Sequence, residues 1–270
     1  MKRVIVTGAA GHLGRRLFDY LEQLDDYHVR GLDINPTEHP EIYIADFSKE
    51  GEWVEHFKET DTIVHLAGDR EPTASWSSAI SNNMDATLRI YHHAVEMGVE
   101  RVVLASSNWL HGGRRFGTER LTTKLSPQPV NPYGMSKLFC ERTGAFYAAQ
   151  YGLSVICLRI GWTQWTHNNN PGKHMAMGRW GQEMWLSDRD YLNGLQCAID
   201  VENIDFDILN LMSDNPGMRW DIEYTKQTIG YQPKDAHSAE LNTVIRLRAA
   251  IVNLLRYKLP NYLGSTFPGW

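Results

Sequence analysis

Short apolar runs alternate with longer amphipathic stretches along most of the chain. Runs near 3–7, 28–33, 42–45, 61–67, 101–105 and 153–160 are rich in Val, Ile and Leu and short, so they read as strands. Between them apolar residues recur three and four apart. Leu13, Leu17, Phe18, Leu21 and Leu24 mark a helix with one buried face, and 76–97 reads as one long helix. This alternation predicts an α/β fold built on a doubly wound parallel sheet. Past residue 160 the pattern changes. Trp162, Trp165, Trp180 and Trp185 crowd around the loop Asn168-Asn169-Asn170-Pro171-Gly172. Ser187, with Asp188 and Asp190 in the first turn, predicts a helix running to Ile199. Phe206 to Leu211 reads as one more strand, and Met218 to Ile229 as a helix ending at Gly230. Leu241, Val244, Ile245, Ala249, Val252 and Leu255 predict a last helix within 238–258, ahead of an irregular tail. Its basic residues are not confined to one face, which favours packing on protein over a membrane surface.

The first strand breaks into Gly8, Gly11 and Gly14, spaced three apart, just before a helix. Glycine reaches backbone angles closed to other residues and lets the chain approach a phosphate. The helix N-terminus then offers N–H groups to the anion. The second strand ends in Asp33, 19 residues past Gly14, where a carboxylate can accept the ribose hydroxyls of a dinucleotide. Ile34-Asn35-Pro36 offer no arginine for a 2′-phosphate, so NAD is expected over NADP. A second constellation is Tyr133-Gly134-Met135-Ser136-Lys137. Its Tyr and Lys stand i and i+4 on one helix face, after an Asn131-Pro132 start. A cation beside a phenol favours the phenolate and suits it to general acid–base work. Upstream, Val102 to Ala105 reads as a buried strand ending in Ser106-Ser107. A hydroxyl there can bond the same substrate oxygen as the tyrosine.

With these motifs in this order, the chain resembles the extended short-chain dehydrogenase/reductase family from residue 1 to about 235. Further matching pieces are Ala45-Asp46-Phe47, Val64-His65-Leu66-Ala67-Gly68, Asn83-Met84-Asp85-Ala86-Thr87 and Arg159-Ile160-Gly161. The resemblance implies a Rossmann core over 1–160 and a small C-terminal substrate lobe over 161–270. It implies NAD held by Gly8, Gly11, His12, Leu13, Gly14, Asp33, Asp46, Phe47, Leu66, Ala67, Gly68, Asn83, Tyr133, Lys137 and Ile160. It implies Ser107, Tyr133 and Lys137 as the catalytic set, with Ser106 beside them, and a homo-oligomer, a dimer.

Within the family the chain resembles the uronate and aldose dehydrogenase branch, which oxidises the anomeric carbon of a sugar. The pocket departs from it. Trp109 stands where that branch has His, Trp162 where it has Ser, and Arg179 matches the carboxylate-binding arginine only loosely. Ser107, Asn108, Trp109, Trp162 and Arg179 are the expected substrate contacts. Each Trp has lobe core as its alternative. Dehydration is disfavoured, because Ser106-Ser107-Asn108-Trp109 carries no acid for a leaving hydroxyl. A sugar or nucleotide-sugar epimerase remains an alternative, and a dinucleotide-binding sensor a weaker one.

Composition narrows the partners. The 270-residue chain carries a net charge of −5 and no long basic run, so nucleic acid is not an expected partner. No apolar stretch reaches membrane-spanning length, and the first one holds the glycine turn, so it is not expected to be a signal peptide. Cys140, Cys157 and Cys197 are few and scattered, as in a reduced, cytoplasmic protein. No Cys/His spacing suggests a metal. His92 and His93 are adjacent in a predicted helix and point about 100° apart.

Overall fold

The computed structural model describes residues 1–115, 117–165, 168–171 and 178–238, with isolated positions between 243 and 255. The elements are β1 (Lys2–Thr7), α1 (His12–Glu22), β2 (Tyr27–Asp33), β3 (Ile42–Ile44), β4 (Thr62–His65), α2 (Trp76–Ser78), α3 (Ala86–Glu96), β5 (Arg101–Ser107), α4 (Pro132–Tyr151), β6 (Ser154–Ile160), α5 (Gly178–Glu183), α6 (Asp188–Asp200), β7 (Phe206–Leu211) and α7 (Glu223–Ile229). Successive strand residues face opposite sides of the sheet, and both sides are covered. Val4, Val6, Val103 and Ile156 pack with Leu17, Phe18 and Leu21 of α1 and Tyr191, Leu195 and Ile199 of α6. Ile5, Ile63, Val102 and Leu104 pack with Ile90, Tyr91 and Ala94 of α3 and Cys140 and Tyr147 of α4.

All strand pairs are parallel, in the order β3-β2-β1-β4-β5-β6-β7. Strand order reverses at β1 and β4. A crevice therefore opens above their carboxyl ends, the place where such sheets bind ligands.

Three details depart from the sequence expectations. The long helix over 76–97 is interrupted by a π-helical segment, Ala79–Asp85, between α2 and α3. The helix ending at Gly230 begins at Glu223 rather than Met218, because Trp220 and Ile222 are buried in a side cluster and Trp220 bridges Leu121. The stretch beyond residue 160 also divides. β7 and α6 complete the sheet and its cover, since the apolar Leu209 and Leu211 find burial only on the β6 edge. The rest forms a lobe in which Trp180, Met184, Met212, Trp220 and Ile222 pack with Leu121, tied by a Trp162–Trp185 bridge. The helix expected within 238–258 lies largely outside the described residues.

Candidate active site

The glycine turn leaves no room for side chains. Gly8 sits at φ +72°, and a Cβ there would lie 2.9 Å from the Ala67 nitrogen. A Cβ on Gly14 would lie 2.0 Å from the Gly8 carbonyl oxygen, so the strand-to-helix turn closes only as glycine. Gly11 caps α1 without a side-chain bond, which leaves the first N–H groups of the helix facing the crevice. Asp33 is buried. One carboxylate oxygen accepts from the Ala10 N–H at 2.9 Å and the other from the Asn35 N–H at 2.8 Å. The bond from Ser48 holds the Asp46 carboxyl below the usual range against the opposing effect of burial, with a lesser contribution from Lys49.

A cavity of about 860 Å³ runs from this turn to the end of β5. It gathers Gly8, Gly11, His12, Leu13, Gly14, Asp33, Asp46, Phe47, Leu66, Ala67, Gly68, Ser107, Asn108, Trp109, Tyr133, Lys137, Ile160 and Trp162 on one wall system. Two residues singled out from the sequence lie elsewhere. Asn83 sits behind the wall in the π-helical segment. It accepts from the Asp69 N–H at 2.8 Å and donates to Ser136 Oγ at 2.9 Å, joining the β4 loop to α4. Arg179 stands with its side chain 62% exposed and paired to Glu183.

Local rules place the chemistry. Asn131 Oδ1 caps α4 by accepting from the Gly134 N–H at 2.7 Å, and Pro132 opens the first turn. Tyr133 and Lys137 are buried one turn apart, with Lys137 Nζ 5.9 Å from the Tyr133 ring centre. β5 ends at Ser107, whose Oγ accepts from the Trp109 N–H at 3.2 Å. Asn108 donates to the Ile160 carbonyl at 3.1 Å, and its buried Oδ1 has no hydrogen-bond partner among the described residues.

Behind this wall lies a buried polar group that spacing did not single out. Glu141 accepts from Arg159 Nε and Nη2, both at 2.8 Å, and from Ser106 Oγ at 2.6 Å. Arg159 Nη1 also reaches His111 Nε2 at 3.0 Å. Burial, then the Arg159 charge, pushes His111 down to about 3, so it is neutral and its Nε2 accepts. The available signal was Glu141 itself, two helical turns past Tyr133 on the same face, a charge that burial obliges to find a partner.

The tryptophans divide between wall and core. Trp109 and Trp162 line the cavity, while Trp180 and Trp185 are lobe core. Trp165, 64% exposed, also lines it, stacks on His12 with centroids 4.5 Å apart, and has the Arg70 guanidinium 4.0 Å from its ring centre. Burial and the Arg16 charge push His12 down to about 4. Far from the cavity, on α3, the ligand atoms of His92, His93 and Glu96 lie within 4.8 Å of one another. Despite their adjacency the two imidazoles therefore converge, and both pair with Glu96.

A profile of the family described as "NAD dependent epimerase/dehydratase family" matches residues 4–164. An NAD-dependent glucose-6-phosphate dehydrogenase of Haloferax volcanii is 32% identical over 257 residues, covering 88% of this chain and 94% of its own. A uronate dehydrogenase of Pseudomonas putida is 27% identical over 239 residues, covering 87% and 84%. The crystal structure of uronate dehydrogenase from Agrobacterium tumefaciens matches with a TM-score of 0.72 at 26% identity, over 93% of this chain and 89% of that one.

Proposed function

The chain belongs to the NAD-dependent epimerase/dehydratase family, and on that footing we propose that it is an NAD-dependent dehydrogenase. Its substrate is a small polyhydroxylated molecule, a monosaccharide or its acidic or phosphorylated derivative, oxidised at C1. The observation that carries this reading is one cavity holding both the glycine turn and the buried Ser107, Tyr133 and Lys137. The cavity fits the dinucleotide. Its glycine turn closes only without a Cβ at Gly8 and Gly14, Asp33 lines it at the end of β2 where a ribose is expected, and about 860 Å³ falls in the upper range of ligand pockets.

Bound NAD supplies the hydride acceptor. Tyr133 takes the proton of the substrate hydroxyl. Lys137, buried beside it, offsets the negative charge that gathers on the Tyr133 oxygen. Ser107 donates to the same substrate oxygen, and Asn108 Oδ1 accepts from a neighbouring hydroxyl. Trp109 and Trp162 offer flat faces to the C–H side of a sugar ring. A dimer is part of the proposal. Leu88 of α3 and Met135, Phe139 and Phe146 of α4 are exposed apolar residues that a second copy would cover, and light scattering at several concentrations reads the mass.

The test is NADH formation with a panel of aldoses, uronates and sugar phosphates. Tyr133→Phe should lower kcat by roughly 10²–10⁴ with NAD affinity nearly unchanged. Near-full activity in that variant would remove the mechanism, and turnover of nucleotide sugars alone, with no net NADH, would replace the dehydrogenase by an epimerase.

A further inference from the structure

The buried group formed by Ser106, Glu141, Arg159 and His111 sits on the elements that bear Ser107, Asn108, Tyr133 and Lys137. Ser106 precedes Ser107 on β5. Glu141 lies one turn past Lys137 and two past Tyr133 on α4. Arg159 precedes Ile160 on β6, and His111 lies one turn past Asn108. Both side chains of the Glu141–Arg159 pair are 1% exposed, and the contact is bidentate. Glu141 Oε1 is shared, accepting at once from Arg159 Nε and Ser106 Oγ.

Such a pair is not explained by stability. Taking two charges out of water costs about what their attraction returns, and apolar residues of similar volume often serve as well. What apolar packing does not supply is direction. A guanidinium fork on a carboxylate fixes angle as well as distance, and the short Ser106 bond passes that constraint to the end of β5.

We propose that Glu141 is a positioning residue. Through Arg159 and Ser106 it sets the spacing between the strand end bearing Ser107 and the helix face bearing Tyr133 and Lys137. The inference rests on the dehydrogenase reading above, and its test is arranged to fail separately.

Two variants probe the group at different depths. Ser106→Ala cuts only the tie to β5 and leaves the ion pair whole. Glu141→Leu with Arg159→Met removes both charges together at similar volume. Both should fold, with urea midpoints near that of the unaltered protein and NAD Kd within about threefold by calorimetry. In both, kcat should fall at least about tenfold with KM little changed. With substrate deuterated at the reacting carbon, the isotope effect on kcat should rise, because hydride transfer has become slower. A purely structural role would instead lower the urea midpoint, NAD affinity and kcat together, and that result would overturn the proposal. So would a folded variant with kcat within about twofold of the original.

Amide hydrogen exchange supplies a readout independent of turnover. Ser106→Ala should speed exchange at residues 105–109 about tenfold with the rest of the sheet unchanged. Unchanged protection there overturns the positioning role even if the unaltered chain oxidises no sugar, an outcome that would by itself overturn only the dehydrogenase reading.

Discussion

The two halves of the cavity wall are built in different ways. The half over β1 and β4 is shaped by backbone: glycines with no space for a Cβ, a helix N-terminus without a side-chain cap, and a carboxylate that braces the turn through Ala10. The half toward the lobe is shaped by side chains from distant segments. Trp162 bridges Trp185, Leu121 bridges Trp220, and Arg219 reaches Glu183 at 2.9 Å while also bonding the Gly117 carbonyl at 2.7 Å. A backbone-built surface admits few residues but serves any ligand that presents the same phosphates and riboses. A surface built from side chains can be rewritten one residue at a time. The difference explains how one dinucleotide half can serve relatives acting on different sugars.

The largest test of that contrast is Gly14→Ala. The added carbon would meet the Gly8 carbonyl at 2.0 Å. NAD Kd should rise at least about 100-fold, ~2.7 kcal/mol, in calorimetry with the far-ultraviolet spectrum retained. Next comes pH, since each half hides a neutral histidine. Burial, then the Lys137 charge, lowers His65 from 6.5 to about 3, and burial, then Arg159, does the same to His111. Below pH 6.5 the unfolded chain binds both protons and the folded chain does not. Stability is therefore full above pH 6.5 and falls as the pH drops toward 3, by about 1.4 kcal/mol per pH unit for each histidine. Urea midpoints between pH 4.5 and 7.5 measure the slope, which His65→Asn should lower by about a third, because His12, held at about 4, contributes as well.

In the backbone-built half, Asp33→Ala is the side-chain change expected to alter cofactor choice. The unaltered protein should prefer NAD to NADP by at least about tenfold in kcat/KM, ~1.4 kcal/mol, and the variant should approach parity. Equal use of both by the unaltered protein would move specificity away from Asp33. The smallest effect belongs to Arg179→Ala. Its side chain is 62% exposed and paired with Glu183, away from the cavity, so KM for an anionic sugar should change by less than about twofold. A tenfold rise would return Arg179 to the substrate contacts.

The same contrast governs what could be read from the sequence. Strands, the glycine turn, the Asn131 cap and the Tyr133–Lys137 face follow from neighbours within a few residues, and the structure has them at the expected positions. Asn83 was visible as a residue but not as a brace, because its partners Asp69 and Ser136 come from other elements. Arg159 was visible in its motif, while its pairing with Glu141 spans a helix and a strand with no shared periodicity. The tryptophans looked alike in sequence. Which of them face the cavity depends on bridges such as Leu121–Trp220, between segments 99 residues apart.

The strand order has a consequence for the chain as it is being made. β1 is synthesised first yet ends in the middle of the sheet, between β2 and β4. Its pairing with β2 can form early, and its other edge stays open until Thr62–His65 have been added, 55 residues after Thr7. At ribosomal rates that is a wait on the order of 3–10 s. Through that interval Val4, Ile5 and Val6 present an unpaired apolar edge, the kind of surface that recruits other chains. The parallel sheet that places the crevice at β1 and β4 thus leaves one edge of the first strand unpaired until the fourth strand arrives.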